Sequence, residues 1–180
     1  MNTERTPTTT ELPVSLAVVK DHVRVDGGFD DASVVLLIRT AAADVEAQAG
    51  IALLTQTITI TVEDAGCLVD LAIGPAAADA EAVVETIVAD GTATEMVEGF
   101  RFETGRYPRL HLDTVPTTAL RITFTAGFGD TAADVPADLQ MAIADQVARL
   151  YDRRGGEVDR GPALSAHTAR VIARYRRVRA

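Results

Sequence analysis

LRITFTAGFGDTAADVPADLQMAIADQVARLYDRR, Leu120 to Arg154, reads without a break as a strand, a glycine turn, a helix and a basic stop. Leu120, Ile122 and Phe124 alternate with Arg121, Thr123 and Thr125, the period-two pattern of a strand with one buried face. Gly127 and Gly129 supply backbone freedom, and Asp130 closes the turn. Pro136 suits a first helical turn, where a missing N–H costs nothing. Leu139, Ile143, Val147 and Leu150 then recur at helical spacing, so a helix over 136–154 with one apolar stripe is expected. Arg153, Arg154 and Gly155 place cations at the negative end of its dipole and then a glycine stop.

Upstream of this stretch the period changes twice. Residues 1–12 are polar and rich in threonine, and read as a disordered tail. Ser15 is placed to cap a helix over 15–24 with Leu16, Val19 and Val23 on one face, ended by Gly27 and Gly28. Asp30 or Asp31 opens a second helix, 31–49, with Val34, Ile38, Ala41 and Val45 as its stripe and Gly50 as its stop. Thr57, Thr59 and Thr61 then alternate with Ile58, Ile60 and Val62, which makes a strand with a threonine face and an apolar face. Further strands are expected at 68–73, 82–88, 94–97, 100–103 and 109–112, with a helix over the alanine-rich stretch Ala76 to Val88 as the alternative there. Short strands at close spacing pair antiparallel, because parallel pairs need long crossovers. The expected fold class is α+β: a helical module from the N- and C-terminal segments, 13–154 as one domain, with an antiparallel β region inserted at 55–126.

The same stretches carry a resemblance. TAGFGD, then VP, then an alanine-rich helix ending in LYDRR, together with PVSLAVVKDHVRVD, VEAQAG and LLTQTITI nearer the N-terminus, resemble the head-to-tail connector (adaptor, head-completion) proteins of long-tailed phages and phage-like gene transfer particles. These pieces stand in that family's order, while the middle from about Glu63 to Pro116 has no counterpart. The resemblance implies a structural virion protein: a ring, commonly of twelve copies, that binds the portal on one side and a stopper or tail protein on the other. Double-stranded DNA would pass through such a ring without being read. A different junction protein of the particle, or a DNA-binding accessory protein, are the alternatives.

Composition bounds these readings. The 180 residues are 47% hydrophobic and 24% charged, ordinary for a globular chain with a proper core. No apolar run approaches the roughly 20 residues that span a bilayer, and no signal-peptide pattern opens the sequence, so a soluble protein off the membrane is expected. Cys67 is the single cysteine, and its setting, CLVDLAI, suggests a buried strand position. The net charge of −9 is unevenly spread: from Arg149 onward nine arginines face three acids, a balance of +6, whereas the preceding residues carry eight basic and 23 acidic groups, −15. An acidic body with a basic end is the pattern of a chain that seeks a partner.

Chemistry is poorly represented. His22, His111 and His167 are far apart and share no metal-ligand spacing. None of Ser15, Ser33 and Ser165 lies in a nucleophile motif, and Asp30-Asp31 and Glu63-Asp64 sit where caps and turns use acids. Gly127-Phe128-Gly129 lacks the remaining residues of a dinucleotide or phosphate loop. No catalytic, cofactor or metal site is therefore expected. What remains is the end of the chain: a glycine-rich hinge at 155–162 and a basic helix at 163–180, in which Leu164, Val171, Tyr175 and Val178 form a narrow seam edged by Arg170, Arg174 and Arg177. A solvated basic face, a phosphate-binding face and a protein-docking face all fit the arginines. The apolar seam favours docking, which under the family resemblance means docking on the portal.

Overall fold

The computed structural model describes residues 1–153 and 164–177. Its elements run β1 (Asn2–Pro7), α1 (Leu16–Val23), α2 (Asp31–Ala49), β2 (Gln56–Val62), β3 (Leu68–Asp70), β4 (Ala82–Ile87) and β5 (Ala93–Met96). There follow β6 (Phe100–Glu103), β7 (Arg109–Leu112), β8 (Ala119–Ala126), a 3-10 turn at Ala132–Asp134, α3 (Ala137–Asp152) and α4 (Ala166–Tyr175). Over the stretch expected to form one domain, the chain divides into two compact units. One joins Met1–Thr9 to Thr55–Phe128, and the other joins Thr10–Leu54 to Gly129–Ala180.

The first unit is all β. Its larger sheet has the order β1-β2-β8-β4-β5, antiparallel throughout. The register puts Ile58 opposite Phe124, and Ile60 opposite Ile122 and through it Val84, so the apolar sets of three strands share one face and are buried. A one-residue slip would turn all of them outward. The smaller sheet, β3-β7-β6, adds Val69, Leu110 and Leu112 to this core, and the Phe102 ring lies 5.5 Å from Phe124 in a tilted contact. On the opposite face Thr59 and Thr123 pair through their hydroxyls at 3.3 Å, and Arg121 meets Glu85 at 3.4 Å.

Two expectations change here, and one that was left open is decided. The N-terminal residues are not a disordered tail, since β1 pairs with β2 from Asn2↔Thr61 to Pro7↔Gln56. Low hydrophobicity suggested disorder, but threonine is also a good strand residue, and an edge strand needs only one hydrogen-bonding neighbour. The alanine-rich run resolves into a loop and β4, without a helix. Cys67 is exposed, because it lies just before β3 and not within it.

In the second unit α1 and α2 contact each other and both pack on α3. Ser15 caps α1 as expected, its Oγ accepting from the Val18 N–H at 3.2 Å. The helix stops at Arg24, which takes the left-handed conformation at φ 57°, before Gly27 and Gly28 are reached. Asp31–Ala49 matches the expected second helix, and Gly50 ends it at φ 69°. The buried run Ile51–Leu54 follows, its Leu53 N–H donating to the Glu46 carboxylate at 2.7 Å.

Pro136 sits at the cap of α3, one place before the helix, and its carbonyl accepts from Leu139 and Gln140. The preceding 3-10 turn is closed by Asp134, whose Oδ2 accepts from the Thr131 hydroxyl at 2.8 Å and the Thr131 N–H at 3.0 Å. The hydroxyl bond first, and then the backbone bond, hold the Asp134 carboxyl below its usual value of 3.8. With its folded pKa lowered, this turn is stabilised in full above pH 3.8, and the contribution is lost as the pH falls through the lower folded value. An NMR titration of Asp134 should show the lowered midpoint, and Thr131→Val should return it toward 3.8. In the β unit, a Cβ on Gly74 would lie 2.3 Å from the Arg106 carbonyl oxygen and 2.9 Å from Pro108 Cδ, whereas one on Gly66 meets nothing within 4 Å. Gly74→Ala should cost about 1–3 kcal/mol in urea unfolding, with Gly66→Ala nearly neutral.

Candidate interaction surface

α4 has ten residues, too few to be a stable helix on its own. What holds it is α3, with α2 also in contact. Ser165 caps it, with Oγ accepting from the Thr168 N–H at 3.0 Å, and the Ser165 N–H donates to the side chain of Gln146 at 3.1 Å. Thr168 is fully buried, and its hydroxyl donates to the Ala142 carbonyl at 2.9 Å. Val171 and Ile172 are buried on the same side. At the far end Asp138, in the first turn of α3, takes two bonds: Tyr175 donates its hydroxyl to Oδ1 at 2.8 Å, and Arg174 donates to Oδ2 at 2.9 Å. α4 therefore runs antiparallel to α3, its start at Gln146 and its end at Asp138.

This arrangement turns part of the expected docking seam inward. Val171 is 1% exposed and Tyr175 is half-buried, so both face into the unit. Leu164 is half-buried just ahead of the helix, and Arg177 is half-buried beyond its end. Arg170 and Arg174 are exposed. The helix is shorter than the expected 163–180, and the hinge at 155–162, like Val178, lies outside the described residues. The physical reason lies in the phase of the stripe. Thr168, Val171, Ile172 and Tyr175 form a complete i, i+3, i+4, i+7 set, and a set of that width is buried by a neighbour within the fold. The seam expected through Leu164 and Val178 does not include Thr168 and Ile172, the two residues that widen the stripe.

A second surface was not legible from periodicity. α1 and α3 border a groove lined by Val18 and Asp21 from the first helix and by Ala137, Gln140, Met141 and Ala144 from the second. Val18 and Met141 are 51% and 46% exposed, out of phase with the buried stripes of their helices. Asp21 is exposed, and the exposed His22, which also lines the groove, bonds Asp145 at 2.9 Å. Elsewhere His111 bonds Glu103 at 2.7 Å, and this bond is the main cause of a lowered Glu103 pKa. Among the described residues no group of three or more His, Cys, Asp or Glu side chains could hold a metal ion. None of their helices is long and apolar enough to cross a membrane.

The whole architecture has counterparts among solved structures. A chain in the neck of a native gene transfer agent particle, computed with C12 symmetry, superposes with a TM-score of 0.79 at 25% identity, covering 100% of this chain and 97% of that one. This is the fold of a neck component of a phage-like particle. A chain from the virion of a native gene transfer agent particle matches equally well, with a TM-score of 0.79, 26% identity and the same coverage. The neck of an empty particle, computed with C6 symmetry, gives 0.80 at 24% identity, again over 100% and 97% of the two chains. No protein-family model matches the sequence, and no curated protein does. The likeness spans both units of the chain, and in this protein α4 is held to α3 by its own bonds. Replacing Thr168 by Val keeps the shape and removes the bond to Ala142. It should cost about 1–2 kcal/mol and raise the hydrogen-exchange rates of α4 amides more than those of α2.

Proposed function

We propose that this chain is a non-enzymatic structural protein of the head-to-tail junction, forming a ring between the portal and the stopper or tail component and leaving a passage for DNA. The observation that carries the reading is likeness over the full chain to neck chains at 25% and 26% identity with TM-scores of 0.79. A ring of twelve copies agrees with the C12 symmetry of one of those necks. The acidic bulk of the chain, −15 before Arg149, suits a wall past which duplex DNA moves, because like charge keeps the duplex from sticking.

The portal contact is assigned to the C-terminal end, in a narrower form than the whole seam. With Val171 and Tyr175 turned toward α3, the contact is assigned to the segment formed by the last residues of the chain, Val178 among them. Leu164, Arg170 and Arg174 would then serve by holding and flanking the segment. Repetition around a ring makes even a weak contact of this kind effective through avidity.

Cutting the chain before α4 would uncover the α3 surface that Thr168, Val171 and Ile172 bury, so the informative truncation ends at Arg176. In cosedimentation with the portal from the same genome, scored by mass and electron microscopy, the full chain should form a ring on the portal and the truncated chain should fail to do so. Absence of association by the full chain would overturn the junction reading. Association by both would keep the ring and remove the C-terminal segment as its portal contact.

A further inference from the structure

A closed ring of identical subunits is built from heterologous contacts, in which one face of each copy meets a different face of the next. Two faces of the helical unit are complementary in this sense. The first is the groove between α1 and α3, lined by the half-exposed Val18 and Met141 together with Ala137, Ala144 and the exposed Asp21. The second is the outer side of α4, where Arg170 and Arg174 are exposed beside Ala166, Ala169 and Ala173.

On α3 the groove is formed by Ala137, Gln140, Met141 and Ala144, whereas α4 is held by Asp138, Ala142 and Gln146. At about 100° per residue these two sets lie roughly 150° apart around the helix. Contacts on nearly opposite sides of one helix allow a head-to-tail chain of subunits, and two adjacent sites would not.

We infer that the α1–α3 groove of one copy receives the outer side of α4 of the next copy, with Val18 and Met141 packed against the alanines and Arg170 paired with Asp21. The inference rests on the ring reading above. The occupant is a second copy because the two faces match in both respects. Half-exposed apolar side chains with an acid at their edge meet a helix face that is low in profile and basic. Arg174, already bonded to Asp138, would border the contact without giving up its own partner.

The test is a charge exchange in the full-length protein assembled on its portal. Asp21→Arg and Arg170→Glu should each lower the yield of closed rings about tenfold or more, since each places like charges at every subunit boundary. The double variant restores an opposite pair at each boundary and should recover most of the yield. Circular dichroism and thermal melting of the three variants should match the parent, because both residues are exposed. Rings formed by either single variant as readily as by the parent would overturn the pairing, as would a double variant no better than the singles. Failure of the unmodified protein to ring on the portal would instead overturn the junction reading on which the pairing depends.

Discussion

The helical unit depends on the burial of one side of α3. Leu139, Ala142, Ile143 and Val147 are each 0% exposed, and α1, α2 and α4 all make contact with this helix. Small side chains at Ala142 and Ala144 let neighbouring backbones come close, which brings the Ala142 carbonyl within reach of the Thr168 hydroxyl. A buried carbonyl already bonded within its helix still has a second lone pair, and Thr168 uses it. Gln146, 1% exposed, shows the same economy, since its amide oxygen accepts from the N–H of Ser165, the cap of α4. These buried polar bonds fix where α4 starts along α3, a choice that apolar contact alone would leave degenerate.

The β unit rests on register in a comparable way. Ile58, Ile60, Ile122 and Val84 are all 0% exposed, and they share a face only because β2, β8 and β4 pair in the observed alignment. The threonine face reports the same register from outside, through the Thr59–Thr123 contact. Both ends of the five-stranded sheet are edges. β1 meets that hazard with Arg5 and a closing Pro7, and β5 is short and carries Glu95. Charge, proline and brevity are the usual protections against unwanted pairing.

Much of this was legible in the residues. The boundaries of α2, β6 and β7 followed from periodicity and turn residues alone, because each has a strong apolar pattern and an unambiguous stop. The α+β class followed from the change of period near Thr57. β1 was missed since its six residues bury no side chain, and an edge strand held by backbone bonds leaves no hydrophobic signature. The end of α1 was legible to within a residue, although its left-handed cap is Arg24 where a glycine is usual. Val18 and Met141 were illegible as a surface because periodicity reports what a helix buries within its own fold. An apolar residue out of phase looks like noise until the neighbouring helix is in place.

The basic end of the chain was the clearest signal in the sequence, and the structure changes its meaning. An arm that orders only upon binding loses part of its contact energy to conformational entropy. α4 is instead ordered by Thr168, Val171, Ile172 and Tyr175 against its own chain, and its outward arginines are presented in fixed positions. The Asp138 carboxylate, held in the first turn of α3, sets the place of Arg174 at one end of the helix. Part of the charge asymmetry is thus consumed internally, and Arg170 is displayed on the outer side of α4. A partner that meets this face binds a surface already formed, so its affinity is set by fit and charge at the surface, without a folding penalty at α4.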